Sequence, residues 1–226
     1  MKAVEATILA VGIAVMGWLV KAGIDDFAYK DRHVTVKGLS EREVPADKVT
    51  WSISTKCMGN DLPALYEQVK QNNTKVKAYL AKYGLSDSEI TVGPPDVSDL
   101  EANQWSENRK MYRYIISSTV TVISKKIEPV NNAIQNQGDL VQQGLAVEAG
   151  YPSYEYVSFQ KMKPEMMEEA ISNAQKTAQQ FAKNCNTELG DLQYASQGQF
   201  EIDDLDSNTP HIKQLRVVST VTYSLK

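Results

Sequence analysis

Histidine and cysteine are scarce in this sequence, with two of each in 226 residues. That scarcity removes much familiar chemistry at once. His33 and His211 stand in no HxxH or HExxH spacing, so they give no zinc site. Cys57 and Cys185 form no CxxC. In an oxidising compartment they allow one disulfide, and otherwise they read as two small apolar residues, partly or wholly buried. There is no GxSxG, no GxxxxGK[ST] and no GxGxxG, which excludes the nucleophile elbow, the P-loop and the dinucleotide fingerprint. Glu201, Asp203, Asp204 and Asp206 are crowded together, but the central glycine and distant bidentate glutamate of an EF-hand are missing. They read as an acidic surface loop. No catalytic, cofactor-binding or metal-binding residue is assigned, no cofactor is implied, and the chain is not read as an enzyme.

An excess of positive charge is also lacking. Lysine and arginine total 24 against 28 acidic residues, a net charge of −4, so the chain as a whole offers no field for polyanions. The densest basic pairs, Lys75-Val76-Lys77 and Lys125-Lys126, sit inside amphipathic patterns and read as solvated faces. Nucleic acid is not expected as a partner.

What the sequence does contain is an uncharged apolar run from Ala6 to Val20, with Lys2 and Glu5 before it and Lys21 after it. As a helix the run rises only about 22 Å, short of the ~30 Å hydrocarbon core. With Ala22, Gly23 and Ile24 added and Lys21 snorkelling, it reaches about 28 Å. Three readings fit: an uncleaved signal anchor, a signal peptide cleaved after Val20-Lys21-Ala22, and a buried core helix. Its apolar residues form no stripe, and a helix apolar all round belongs in a membrane or at the centre of a large core. Residues 1–26 are therefore a signal anchor or signal peptide. Lys2 before the run and Asp25-Asp26 after it orient the N-terminus inward. Residues 27–32 read as a charged stalk, and 33–226 as one domain.

That domain alternates strand and helix patterns. Val34 and Val36 alternate with polar residues up to Gly38, and Val49, Trp51 and Ile53 do so again. Asn60 or Asp61 caps a helix with Pro63 near its start and Gly84 at its stop. Ile90 to Val92 predicts a short strand and residues 96–109 a polar loop carrying Trp105. Tyr112 to Val122 is the clearest strand pattern. A helix is predicted from about Ile127 to Gln143, a short strand near Tyr154, and a second long helix opening at Pro164. Its stripe is Met167, Ala170, Ile171, Ala174, Ala178, Phe181, Ala182 and Cys185. Strand pattern returns at Leu192 and Tyr194, and the chain closes on Leu215 to Leu225. Ser118-Thr119-Val120-Thr121-Val122 is echoed by Ser219-Thr220-Val221-Thr222-Tyr223, as if both were central strands of one sheet. The expectation is an α+β fold, a mainly antiparallel sheet with helices packed on one face, plus an N-terminal hydrophobic helix.

His33-Val34-Thr35-Val36-Lys37-Gly38-Leu39-Ser40-Glu41-Arg42-Glu43-Val44-Pro45-Ala46-Asp47 resembles the opening of the SIMPL-domain family, a strand with a glycine turn followed by V-P-A/P-D. Tyr112 to Val122 is similar to that family's long strand, and Glu168 to Ala182 with Leu189-Gly190 to its alanine-rich helix and exit. Ser40 stands where relatives carry glycine. The resemblance implies a bacterial envelope protein without established catalytic residues, with relatives that assemble as channel-like oligomers or serve oxidative-stress defence. The expected partners are the membrane, through the N-terminal segment, and further copies of the chain. The location is the inner membrane with a periplasmic domain, or the periplasm after cleavage. A second possibility is a small-ligand or peptide-binding module with a groove lined by Trp105, Tyr112 and Tyr114.

Overall fold

The computed structural model describes residues 2–29, 32–102 and 111–226. In chain order the elements are helix α1 (Lys2–Tyr29), strands β1 (His33–Pro45) and β2 (Lys48–Gly59), helix α2 (Leu62–Lys82), and strands β3 (Ile90–Val92), β4 (Asp96–Asp99) and β5 (Tyr114–Ser124). Helices α3 (Ile127–Gln135) and α4 (Gly138–Gln142), strands β6 (Val147–Ala149) and β7 (Ser153–Glu155), helix α5 (Phe159–Asn184), and strands β8 (Leu189–Asp204) and β9 (Ile212–Leu225) complete the chain. The fold is α+β with antiparallel pairing, but the strands divide between two sheets. One runs β1-β9-β8, the other β3-β5-β2-β6 with β4 on β5 and β7 on β2. The echoing strands β5 and β9 thus lie in different sheets, and their likeness reflects shared β-propensity. Two compact units result: residues 1–42, 160–201 and 215–226, and residues 43–159 and 202–214.

In the second unit β2 pairs with β5 from Val49–Ser124 to Gly59–Tyr114. Val49, Trp51 and Ile53 on β2 and Val120 and Val122 on β5 point to one face, under Val76, Tyr79 and Leu80 of α2, Val130 and Ala133 of α3 and Leu140 of α4. Full burial of such side chains contributes roughly 1.5–3 kcal/mol each. The opposite face carries hydroxyl pairs, Ser52 with Thr121 at 3.2 Å and Ser54 with Thr119 at 2.8 Å. Helix α2 begins where Asp61 accepts the Ala64 N–H and ends at Gly84, whose φ of +82° suits glycine. Asn60 instead accepts the Arg113 N–H. The predicted helix 127–143 is two helices, interrupted where the Asn136 side chain donates to the Asn132 carbonyl.

In the first unit the partners of β1 fall along β9 as its own numbers rise. Arg32 accepts from the Leu225 N–H, Thr35 meets Thr222, and Glu41 meets Arg216; the pair is antiparallel. Helix α5 covers this pair through Met166, Ala170, Ala174, Ala178 and Ala182, all buried. Ala174 and Ala178 pack on Val34, Val36 and Val221. The buried register starts at Met166 rather than Met167, and Ile171, Phe181 and Cys185 of the predicted stripe are exposed. The helix also opens at Phe159, with Pro164 inside it and one carbonyl bond forgone. Strand β1 continues past Gly38 to Pro45. Gly38 does not end it; a Cβ there would collide with the backbone of Ala170 and Ala174. Strand β8 likewise runs through the residues read as an acidic loop, to Asp204, and residues 96–99 form β4 rather than loop.

Helix α1 continues to Tyr29, into the segment read as a stalk. Side chains of this helix are described at Ile8, Ala10 and residues 11–24. Among the described residues no helix is long and apolar enough to cross a membrane.

Gly38→Ala is expected to lower stability by about 3 kcal/mol, because helix or sheet must move to admit the methyl group. Gly138→Ala, where a Cβ would meet nothing within 4 Å, should be neutral within about 0.5 kcal/mol. Urea midpoints of the two variants give the comparison.

Candidate functional site

The residues singled out for chemistry are scattered and occupied with structure. His33 opens β1 and is exposed. His211 lies in the turn before β9, edge-on to Tyr154 with ring centroids 6.1 Å apart, and its carbonyl accepts the Ala46 N–H. Cys57 is buried beneath the Asn72 amide, which donates to its sulfur at 3.3 Å. Burial pushes its thiol pKa up against that hydrogen bond. Cys185 is exposed, not buried as expected, and neither cysteine is in a disulfide. Asp206 closes a turn by accepting the Asn208 and Thr209 N–H groups at 2.7 and 2.8 Å, and Asp204 pairs with Lys213. Among the described residues no group of three or more acidic, histidine or cysteine side chains could hold a metal ion. In the basic pairs, Lys77 meets Asp87 and Lys126 meets Glu89.

The groove expected around Trp105, Tyr112 and Tyr114 is not assembled by the described residues. Trp105 lies outside them. Tyr112 is exposed, and Tyr114 packs against the Cys57, Leu65, Val69 and Ile116 cluster with the Arg113 guanidinium 5.0 Å from its ring.

A cavity of about 270 Å³ opens elsewhere, in the first unit. Its origin is the width of α5. The alanine stripe places the helix over β1 and β9, and every residue of β8 from Asp191 to Gln199 remains exposed. Ile171 projects from the flank of α5 toward this uncovered part and, with Leu192, Ala195, Ser219, Val221 and Tyr223, lines the cavity. The wall is mainly apolar and contains no carboxylate, imidazole, amine or thiol. The Ser219 hydroxyl is buried and has no hydrogen-bond partner, an uncompensated polar group of the kind that costs roughly 1–3 kcal/mol. The arrangement can shelter an apolar group. Alternating strand residues and a helix flank could suggest such a place in a sequence. That β8 is left bare could not be read, since it depends on which strands α5 covers.

Among the described residues the most perturbed carboxylate is structural. The Ser124 hydroxyl, the Ser86 backbone N–H and hydroxyl, and Lys126 hold the Glu89 pKa down to about 2, and Glu89 Oε1 accepts from Ser124 at 2.6 Å. It fastens the turn before β3 to the end of β5. Asp47 is a second case. Burial pushes its carboxyl up, but the Ser158 hydroxyl and the Val157 and Ser158 N–H groups outweigh that and hold it below the usual range.

Because the folded pKa of Glu89 is depressed, its contribution is present above the unfolded value near 4.5 and is lost as pH falls toward 2. Glu89→Gln is expected to cost about 2 kcal/mol in urea unfolding at pH 7. At pH 2.5 it should cost much less, and a pH-independent difference would contradict the assignment.

No curated protein matches the chain. A family match runs from residue 34 to residue 221, taking in β1 through most of β9, including the cavity-lining residues Ile171, Leu192, Ala195 and Ser219. On that match the chain belongs to the SIMPL family, described as protein of unknown function (DUF541).

Proposed function

We propose that this chain is a non-enzymatic protein of a bacterial envelope, tethered to the inner membrane by α1 and working through protein contacts in stress tolerance. The observation that carries the reading is the surface of α1. Ile8, Val11, Ile13, Val15, Met16, Trp18, Leu19, Val20 and Ile24 are all 51–70% exposed, and they point in every direction around the helix. In water such a surface is unfavourable by about 25 cal/mol per Å², whereas lipid accommodates it. Its uncharged run, extended through Ala22 to Ile24 with Lys21 snorkelling, rises about 28 Å, close to the ~30 Å hydrocarbon core. Lys2 and Asp25-Asp26 favour an inward N-terminus. The domain is then periplasmic, and membrane tethering concentrates copies in a plane, which favours assembly as a homo-oligomer.

A second reading, a periplasmic module that binds a small ligand or a peptide, is favoured by the cavity beside β8.

Carbonate extraction of membranes from a cell producing the chain should leave it in the pellet, with Lys2 retained at its N-terminus. A mature protein that begins at Gly23 would replace the tether with a cleaved signal peptide. Light scattering of the protein cut at Phe27 tests the assembly separately. A multiple of the monomer mass is expected, and a strict monomer at millimolar concentration removes the oligomer while leaving the tether standing.

A further inference from the structure

We propose that the outer edge of β8 is a peptide-docking site, which takes an extended segment with basic ends and places one of its apolar side chains in the cavity beneath α5. This rests on the reading of the domain as one that works through protein contacts, and it does not depend on the tether.

The first observation is the strand itself. β8 has 16 residues and, among the described residues, pairs only with β9, so its other edge is unpaired. Natural sheets protect such edges with charge, proline or short length, because an open row of N–H and C=O groups recruits any extended chain. The middle of β8, Leu192-Gln193-Tyr194-Ala195-Ser196-Gln197-Gly198-Gln199-Phe200, has neither charge nor proline. Nine residues span about 30 Å. The strands β3, β4, β6 and β7 of the other sheet have three or four residues each, and the opposite edge of the same sheet, β1, has 13 residues but carries Lys37, Glu41, Arg42, Glu43 and Pro45.

The second observation is the cavity. Strand addition obtains affinity from main-chain hydrogen bonds and specificity from pockets that receive alternate side chains. Here a pocket of about 270 Å³ with an apolar wall adjoins the same stretch of β8, since Leu192, Ala195, Ser196 and Gln197 line it. The volume suits one large side chain rather than a drug-sized ligand, whose sites begin near 300 Å³. The unpartnered Ser219 hydroxyl lies in its wall.

Charge selects the occupant. The uncharged stretch is bounded by Asp191 on one side and by Glu201 and Asp203 on the other, with no cation in β8. Three neighbouring cations are committed: Lys213 to Asp204, Arg216 to Glu41, and Lys163 over the Phe200 ring at 5.6 Å. A second β8 arranged antiparallel about Ser196 would set Asp191 against Glu201, a like-charge contact. A foreign strand with lysine or arginine at its ends and an apolar centre meets opposite charge at both.

The test titrates the full-length chain in detergent into a fluorescein-labelled nonapeptide of alternating threonine and valine, with phenylalanine at its centre and lysine at both ends. Saturable anisotropy change is expected. Affinity should fall at least tenfold when alternate peptide amides are N-methylated and at least fivefold when the lysines become glutamates, the latter gap closing in 1 M salt. Ala195→Trp, which fills the cavity, should cost at least tenfold against this peptide and much less against one with alanine at its centre. No saturation up to 1 mM, or equal binding by the N-methylated peptide, would overturn the proposal. So would sedimentation in which Leu192→Asp converts an oligomer to monomer, because a second copy would then hold the edge. Light scattering of the protein cut at Phe27 reports on self-assembly and carbonate extraction on the tether, and neither reads peptide binding, so the failures are distinct.

Discussion

Helix α5 lies against its sheet through alanine, and that choice governs the first unit. Ala170, Ala174, Ala178 and Ala182 recur every fourth residue, so the buried face is a narrow rail. With Gly38 opposite Ala170 and Ala174, backbone meets backbone at a distance that larger side chains would forbid. Little apolar area is buried per residue. Dispersion at close range and polar ties at the flanks supply the remainder. Ser40 donates to Glu169 at 2.8 Å, Arg42 reaches Glu165 and Glu169, and the Asn173 amide donates to the Leu39 carbonyl. A helix about 10 Å across can cover two strands spaced 4.8 Å apart but not three. Once α5 is fixed over β1 and β9, β8 must stand clear.

The second unit shows the other solution. Its sheet is covered by α2, α3 and α4 together, with large side chains such as Trp51, Ile53 and Leu80 filling the space. The Trp51 indole N–H still finds the Gly150 carbonyl at 3.1 Å, so a bulky aromatic is buried without losing its polar partner. The flanks of this sheet are short, and its polar face is a ladder of hydroxyls. Among its described residues no edge strand has the bare length of β8. The two solutions differ in what they leave exposed, and only the alanine rail leaves a long strand edge beside an apolar hollow.

The residues announced a good part of this. Alternation marked β2, β5 and β9 with their buried faces correct, because period two at a half-covered sheet leaves little choice. Asp61, Pro63 and Gly84 marked the ends of α2. The alanine run marked α5, although Met166 rather than Met167 lies in its register. Where the reading failed, tertiary contact decided. Gly38 looks like a stop in isolation and is a clearance for α5. Glu201 to Asp204 look like a loop and continue β8, because β9 pairs with them. The division into two sheets, and hence the bareness of β8, follows from pairings between segments that are remote in sequence. No local pattern encodes them.

The stretch that carries the family resemblance turns out to build the fold. Val44 and Ala46 are buried, and the Asp47 carboxylate receives the Val157 and Ser158 N–H groups at 2.7 and 2.8 Å, just before α5 begins. Gly38 gives α5 its clearance, and Ser40 uses its hydroxyl to hold Glu169. Each of these residues is spent on placing or fastening a helix, so the resemblance is evidence about architecture and says little about a partner. What the architecture leaves free is elsewhere, in the uncharged middle of β8 and the flank of α5 around Ile171. Neither is needed to place α5, whose buried rail is complete without them. Exposed apolar side chains beside an open strand edge carry a cost in solubility. That cost is the physical reason to look for function there rather than in the motif.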